Sequence, residues 1–190
     1  MAQFKILPNT YILSPLICFS RKRLFEEMSD LAAAITGVEA HVLLTALNER
    51  EAMGSTACAK GICIPHGVIP ELKQSVAVLA LLQAEIPFNS VDSDYQGVDF
   101  ALAFFLSPKD KYEERAQMLR LVSRELNNPD LANSFRRVWQ DTNKLMMLML
   151  KLDNLLFANY TPITTPKETS STNPIVQFIT EAIGGVMDDN

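Results

Sequence analysis

Two apolar runs in the middle of the chain constrain its fold more than any other feature. Val76-Ala77-Val78-Leu79-Ala80-Leu81-Leu82 is apolar throughout, and Val98 to Leu106 is interrupted only by Asp99. A strand with one solvated face alternates apolar and polar residues, whereas a strand covered on both faces reads as a continuous apolar run. The chain must therefore lay helices on both sides of a sheet, and its remaining pattern supplies them. Ser20 reads as the N-cap of a helix from Arg21 to about Thr36. Leu24, Met28, Leu31, Ala32 and Ile35 fall near helical spacing there, and Gly37 is the stop signal. A second helix is expected from Glu39 to about Asn48. Others are expected over 111–127, 129–139 and 142–157, with Asn127-Asn128-Pro129 as a break. Short strands are expected around Tyr11-Ile12-Leu13 and over Gly61–Pro65. The expected fold class is α/β, a mixed β-sheet flanked by helices, forming a single domain over residues 1–160.

After Tyr160 the composition changes. Residues 161–174 are rich in Thr, Ser and Pro and read as a flexible linker. Within 175–190, Ile175, Phe178, Ile179, Ala182, Ile183 and Val186 recur at helical spacing, so a short amphipathic helix is expected. Such a helix either docks on its own domain or a sister subunit, or serves as a partner-recognition helix. The Met-rich run Leu145 to Leu150 reads as helix core, with an adaptable partner surface as the alternative.

Bulk properties remove several function classes. The formal net charge of −5 offers no basic footprint, so no nucleic-acid partner is expected. No stretch reaches the roughly 18–20 apolar residues that span a bilayer, so no membrane insertion is expected. The apolar segment Ile12 to Phe19 precedes Arg21-Lys22-Arg23, the reverse of the charge order in a secretory signal. Cys18, Cys58 and Cys63 are odd in number and lack close-set pairing, which points to reduced thiols and a cytoplasmic protein. With only two histidines, far apart, no metal site and no cofactor are expected.

Those histidines are not equivalent. His41 lies near the start of the second expected helix and reads as structural or solvated. His66 lies in Gly61-Ile62-Cys63-Ile64-Pro65-His66-Gly67, at the end of the expected strand, where a scaffold presents reactive groups. A turn histidine without chemical duty is the alternative. Upstream stand Arg50-Glu51 at a helix end and Gly54-Ser55-Thr56. Together they bring a guanidinium, two hydroxyls and turn amides within reach of one imidazole. These groups suit a phosphoryl group: Arg50 offers a planar fork of donors, and Ser55, Thr56 and free amides satisfy the remaining oxygens. A neutral imidazole nitrogen is a competent phosphoryl acceptor near pH 7. A Cys63–His66 nucleophilic pair is a weaker alternative, because Cys63 sits in an apolar strand.

The string Arg50-Glu51, Met53-Gly54-Ser55-Thr56, Gly61-Ile62, Ile64-Pro65-His66-Gly67 and Val98-Asp99 resembles the type-2 enzyme IIA domain of the bacterial phosphoenolpyruvate:sugar phosphotransferase system. Residues 10–150 carry the likeness, which extends to the helix with Leu119, Leu121-Val122 and Leu126. The nitrogen-regulatory branch is the most similar. The resemblance implies that His66 accepts a phosphoryl group from an HPr-like phosphocarrier protein, with Arg50 beside the phosphohistidine and Ser55 and Thr56 shaping the pocket. It implies a phosphotransferase component that either regulates a target protein or passes phosphate to a IIB component.

Four departures from the family pattern stand out. Arg115 occupies the place of a second family histidine, where it either neutralises the phosphate or remains a solvated helix charge. Ala57 and Ala59 stand where the family usually has glycines. The 89–97 segment is long, and the tail beyond about 160 has no counterpart. A regulatory carrier is the leading expectation. A sugar-specific IIA component and a degenerate interaction module without phosphotransfer are the alternatives, and homo-oligomerisation is left open.

Overall fold

In the computed structural model, residues 3–58, 60–88 and 97–164 are described. The elements run β1 Asn9–Leu16, α1 Arg21–Thr36, α2 Ala40–Ala52, β2 Gly61–Cys63, β3 His66–Val68, β4 Val76–Pro87, β5 Gly97–Leu106, α3 Tyr112–Leu126, α4 Pro129–Arg137 and α5 Thr142–Asn159. The two apolar runs are β4 and β5, which pair antiparallel at the centre of the sheet from Val76↔Phe105 to Pro87↔Gly97. β1 lies parallel to β4 on one side, and β2 and β3 lie parallel to β5 on the other. The sheet is mixed, as expected.

Register explains the composition of the central strands. Ala77, Leu79, Leu81, Phe100, Leu102 and Phe104 point into one buried cluster, which α3, α4 and α5 close with Val122, Leu126, Phe135, Leu145, Met149, Leu152 and Leu156. Val78, Ala80, Leu82, Ala101, Ala103 and Phe105 point into the other, closed by Leu24, Phe25 and Met28 of α1 and Leu43 and Leu47 of α2. Cross-strand partners such as Val78↔Ala103 and Leu79↔Leu102 share a face, so both periods agree. Each face holds an edge-to-face aromatic pair: Phe100–Phe135 with centroids 5.3 Å apart, and Phe25–Phe88 at 6.1 Å.

Helix boundaries follow local chemistry. The Ser20 side chain caps α1 by accepting from the Arg23 amide at 3.1 Å, and Gly37 closes that helix. The Asn128 side chain caps α4, with Pro129 at its first position, and the Asp141 side chain caps α5. α2 runs to Ala52 rather than stopping near Asn48, because Glu49, Arg50, Glu51 and Ala52 favour helix. Residues 5–7 fold onto α5: the backbone amides of Lys5, Ile6 and Leu7 donate to the buried Asp153 carboxylate at 2.7, 2.9 and 2.8 Å. A buried charge so surrounded has its hydration replaced by fixed donors.

One expectation is corrected. The strand expected over Gly61–Pro65 ends at Cys63, and His66 opens a second strand rather than ending the first. Pro65 has no amide to donate and breaks the ladder. Its carbonyl still accepts from the Phe104 amide at 2.8 Å, so pairing resumes in register at His66↔Phe104. The 89–96 segment, Ala59, the linker beyond 164 and the helix expected within 175–190 lie outside the described residues.

Candidate functional site

The site is built where α2 ends beside β3. Gly67 makes this approach close: a Cβ there would lie 2.9 Å from the Ala46 Cβ and 3.0 Å from its carbonyl oxygen. Ala46 and Arg50 are four residues apart and share one face of α2. Contact at Gly67 therefore delivers the Arg50 guanidinium to the neighbouring imidazole. Arg50 Nε donates to His66 Nε2 at 3.1 Å, while Arg50 Nη1 donates to the Gly54 carbonyl at 2.9 Å.

These bonds define the imidazole. A guanidinium only donates, so His66 Nε2 must be the unprotonated nitrogen. The proton resides on Nδ1, which donates to the Ile64 carbonyl at 2.9 Å. Burial lowers the His66 pKa below its ordinary value of 6.5, the Ile64 bond opposes this, and Arg50 adds to the lowering. The ring is neutral at pH 7, with a nucleophilic lone pair on Nε2 aimed at a cation. Both hydrogen-bond partners of Arg50 among the described residues are neutral, so its charge is available to an arriving anion.

Beneath this pair lies a buried carboxylate to which the sequence reading gave no role. Glu51 accepts from the Thr56 amide at 3.2 and 3.1 Å through its two oxygens, and from the Thr56 hydroxyl at 2.5 Å. Arg21 Nη1 lies 3.9 Å from the same carboxylate. Glu51 thus holds the 54–56 turn against the end of α2 while its neighbour Arg50 faces His66. The missed signal was an acid immediately after the site arginine and five residues before a threonine, a spacing that suits a carboxylate closing a turn. Thr56 is 7% exposed and its hydroxyl is committed to Glu51. The Ser55 hydroxyl accepts from the Ala57 amide at 3.3 Å.

From Thr56 the chain runs back along β2. Thr56 O accepts from the Ile64 amide at 2.9 Å, and Ala57 forms an antiparallel bridge with Cys63. Alanine suits this extended path, so no glycine is needed at position 57. At Gly61 a positive φ of 76° is required, and a Cβ would also meet Arg136 Nη2 at 2.6 Å. Arg136 is forked onto Asp99 through Nε and Nη2, and Nη2 also donates to the Lys60 carbonyl at 3.0 Å. This latch ties α4 to the starts of β2 and β5.

Arg115 makes its described hydrogen bond to the end of β5. It sits in the first turn of α3, and its Nη1 donates to the Ser107 carbonyl at 3.1 Å. It lines a cleft with Lys5, Lys73, Asp110, Glu114 and Tyr160, whereas His66 does not. The structure joins His66 to Arg50, and Arg50 to the Gly54 carbonyl in the turn that carries Ser55 and Thr56, and no described hydrogen bond joins Arg115 to that network. Cys63 is wholly buried, and desolvation pushes its thiol well up, which removes the thiolate that a Cys–His pair requires. His41 is exposed on α2. Among the described residues, no group of three His, Cys, Asp or Glu side chains is placed to hold a metal ion.

A family model described as phosphoenolpyruvate-dependent sugar phosphotransferase system, EIIA 2, matches residues 5–151. The chain belongs to this family. All residues of the His66 cluster fall inside the match. A nitrogen regulatory protein of Klebsiella oxytoca is 34% identical over 125 residues, covering 65% of this chain and 75% of that protein. One from Bradyrhizobium diazoefficiens is 32% identical over 125 residues, covering 66% and 80%. The crystal structure of nitrogen regulatory protein IIA-Ntr from Neisseria meningitidis shares the fold of this enzyme IIA domain. Its TM-score is 0.63 at 22% identity, covering 80% of this chain and 96% of that one. No helix of the described residues is long and apolar enough to cross a membrane.

Proposed function

We propose that this enzyme IIA domain is a regulatory phosphoryl carrier in which His66 Nε2 takes a phosphoryl group from the phosphohistidine of an HPr-like carrier protein. The observation that carries this reading is the Arg50–His66–Ile64 chain of hydrogen bonds, which fixes the tautomer and sets the lone pair of Nε2 against a cation. In the transfer, the Nε2–P bond forms as the donor's N–P bond breaks, and the proton stays on Nδ1, donated to the Ile64 carbonyl. Arg50 swings from Nε2 to the phosphoryl oxygens, where its fork neutralises developing charge, and Ser55 lies on the turn beside it. Thr56 acts by holding the turn on Glu51. Arg115 contributes as a more distant positive charge.

Phosphorylation adds about two negative charges beside Arg50, which changes what the surrounding surface can bind. Met53, 83% exposed, and Val68, 47% exposed, belong to the segments that carry the site and give a docking carrier an apolar foothold. The similarity to nitrogen regulatory proteins supports regulation of a target protein over sugar uptake. Cys18 and Cys63, buried thiols outside any disulfide, support a reducing, cytoplasmic setting.

The test is phosphotransfer from labelled phosphoenolpyruvate through the general phosphotransferase enzymes and an HPr-type carrier. One acid-labile phosphoryl group is expected on the wild type and none on His66→Ala. Wild type that stays unlabelled would leave an interaction module. Rapid passage of label to a sugar-permease IIB component would assign sugar uptake instead of regulation.

A further inference from the structure

Arg21 opens α1, a different element from those that carry Arg50 and His66, yet its guanidinium is directed at the base of their site. Nη1 donates to the Phe88 carbonyl at 3.1 Å, and the guanidinium carbon lies 5.7 Å from the centre of the Phe88 ring. Phe88 is itself buried and packs edge-to-face on Phe25 of the same helix. A carbonyl and a ring face together fix a planar guanidinium in place. Held there, Nη1 stands 3.9 Å from Glu51 Oε1, a charge contact longer than a hydrogen bond.

Glu51 needs such a neighbour. Its side chain is 5% exposed, and the groups that donate to it, the Thr56 amide and hydroxyl, are neutral. Among the described residues Arg21 is the one cation in ion-pair contact with that carboxylate. A buried carboxylate left without a cation attracts the next one within reach. Here that is Arg50, its neighbour in sequence. Arg50 instead donates Nη1 to the Gly54 carbonyl and Nε to His66 Nε2. The contacts form one series: Phe88 holds Arg21, Arg21 faces Glu51, Glu51 holds the turn at Thr56, and Gly54 of that turn aims Arg50 at His66.

We propose that Arg21 is a positioning residue for phosphoryl acceptance: by supplying the cation that Glu51 requires, it keeps Arg50 out of an ion pair with Glu51 and directed at His66. The inference rests on His66 as the acceptor, and Arg21 acts on it only through Glu51. Burial is the largest influence on the His66 pKa, which it lowers, and the Ile64 bond opposes it. Of the two charges that bear on the ring, Arg50 lowers the pKa and Glu51 raises it. The Cys63 thiol, which also feels Glu51, is wholly buried and pushed well up by desolvation. Loss of Arg21 leaves Glu51 uncompensated and turns Arg50 toward it, and both changes move the His66 pKa upward.

Two measurements on the full chain test this: titration of the His66 imidazole followed by NMR, which needs no phosphate, and the rate of labelling through an HPr-type carrier. In Arg21→Gln the His66 pKa is expected to rise above that of the wild type, and labelling to slow by about tenfold. The Arg21 side chain is partly exposed, so its replacement leaves the core intact. Arg21→Lys keeps the charge and should recover most of the rate. Adding Glu51→Gln to Arg21→Gln removes the charge that attracts Arg50 while leaving an oxygen for the Thr56 amide and hydroxyl. It should bring the His66 pKa back down and restore most of the rate. An unchanged His66 pKa in Arg21→Gln would overturn the proposal and leave Arg21 a structural residue of α1, even if labelling slowed. So would an unchanged labelling rate, or a double variant no better than Arg21→Gln. Wild type that takes no label while the titrations shift as expected would overturn the acceptor reading alone, with the placing of Arg50 by Arg21 standing on the titrations.

Discussion

At His66 burial, aided by the Arg50 charge, outweighs the Ile64 hydrogen bond and leaves a neutral ring with its lone pair on Nε2. The consequence for stability has a definite sign. The folded-state pKa lies below the unfolded value of about 6.5, so the unfolded chain binds the proton more readily. The contribution is complete above 6.5, is lost as pH falls from there toward the depressed value, and levels off below it. Urea midpoints of the wild type should therefore fall relative to His66→Gln across that window and run parallel above it; parallel curves throughout would mean an unshifted histidine. The two site arginines separate in the same way. Arg50→Gln removes the cation at Nε2 and should slow phosphoryl acceptance by about 10²-fold. Arg115→Gln, which loses a bond to the Ser107 carbonyl, should stay within about threefold. Equal losses in the two labelling rates would place Arg115 in the phosphate site. At this scale Arg50 and His66 were legible because guanidinium and imidazole have few partners that suit them so well. Glu51 was not, because a buried acid looks like any surface acid until the turn it accepts from is in place.

At the scale of elements, the site depends on one close contact. β3 can lie against α2 only because position 67 has no side chain, and that contact fixes the separation of Arg50 and His66. Gly67→Ala must push the strand and helix apart or distort both, at a cost of about 1–3 kcal/mol. The expected result is a lowered urea midpoint together with a phosphoryl-acceptance rate that falls as in Arg50→Gln. A variant that loses stability but labels at the wild-type rate would show that Arg50 needs no such positioning. Most elements were legible because their signals are local: the Ser20 cap, the Asn128-Pro129 start and the apolar runs of β4 and β5. The division of Gly61–Val68 into β2 and β3 was not. Pro65 announces a break, but whether pairing resumes depends on β5, more than thirty residues away, and on its Phe104 amide reaching the Pro65 carbonyl.

For the whole molecule, the sheet separates two cores that share no side chains, one under α1 and α2 and one under α3, α4 and α5. His66 sits on β3, which β5 holds by backbone pairing, and the hydrogen bonds of its ring and of Arg50 all fall within residues 46–67. A phosphoryl group arriving there meets Arg50 and the 54–56 turn, while β4 and β5 stay packed between their helices. Close-packed interiors resist small displacements, so the added charge is accommodated by the surface groups that can move. Phosphorylation at His66, as proposed, is therefore expected to change surface charge and turn conformation beside His66, with no rearrangement passed through the sheet. Exchange of backbone amides in the phosphorylated and unphosphorylated protein checks this. Differences are expected over residues 50–58 and 64–68, with α3, α5 and β1 exchanging alike in both states. A phosphorylation-dependent change in α5 or β1 would mean that the two cores are coupled and that the regulated surface lies on the far side of the sheet.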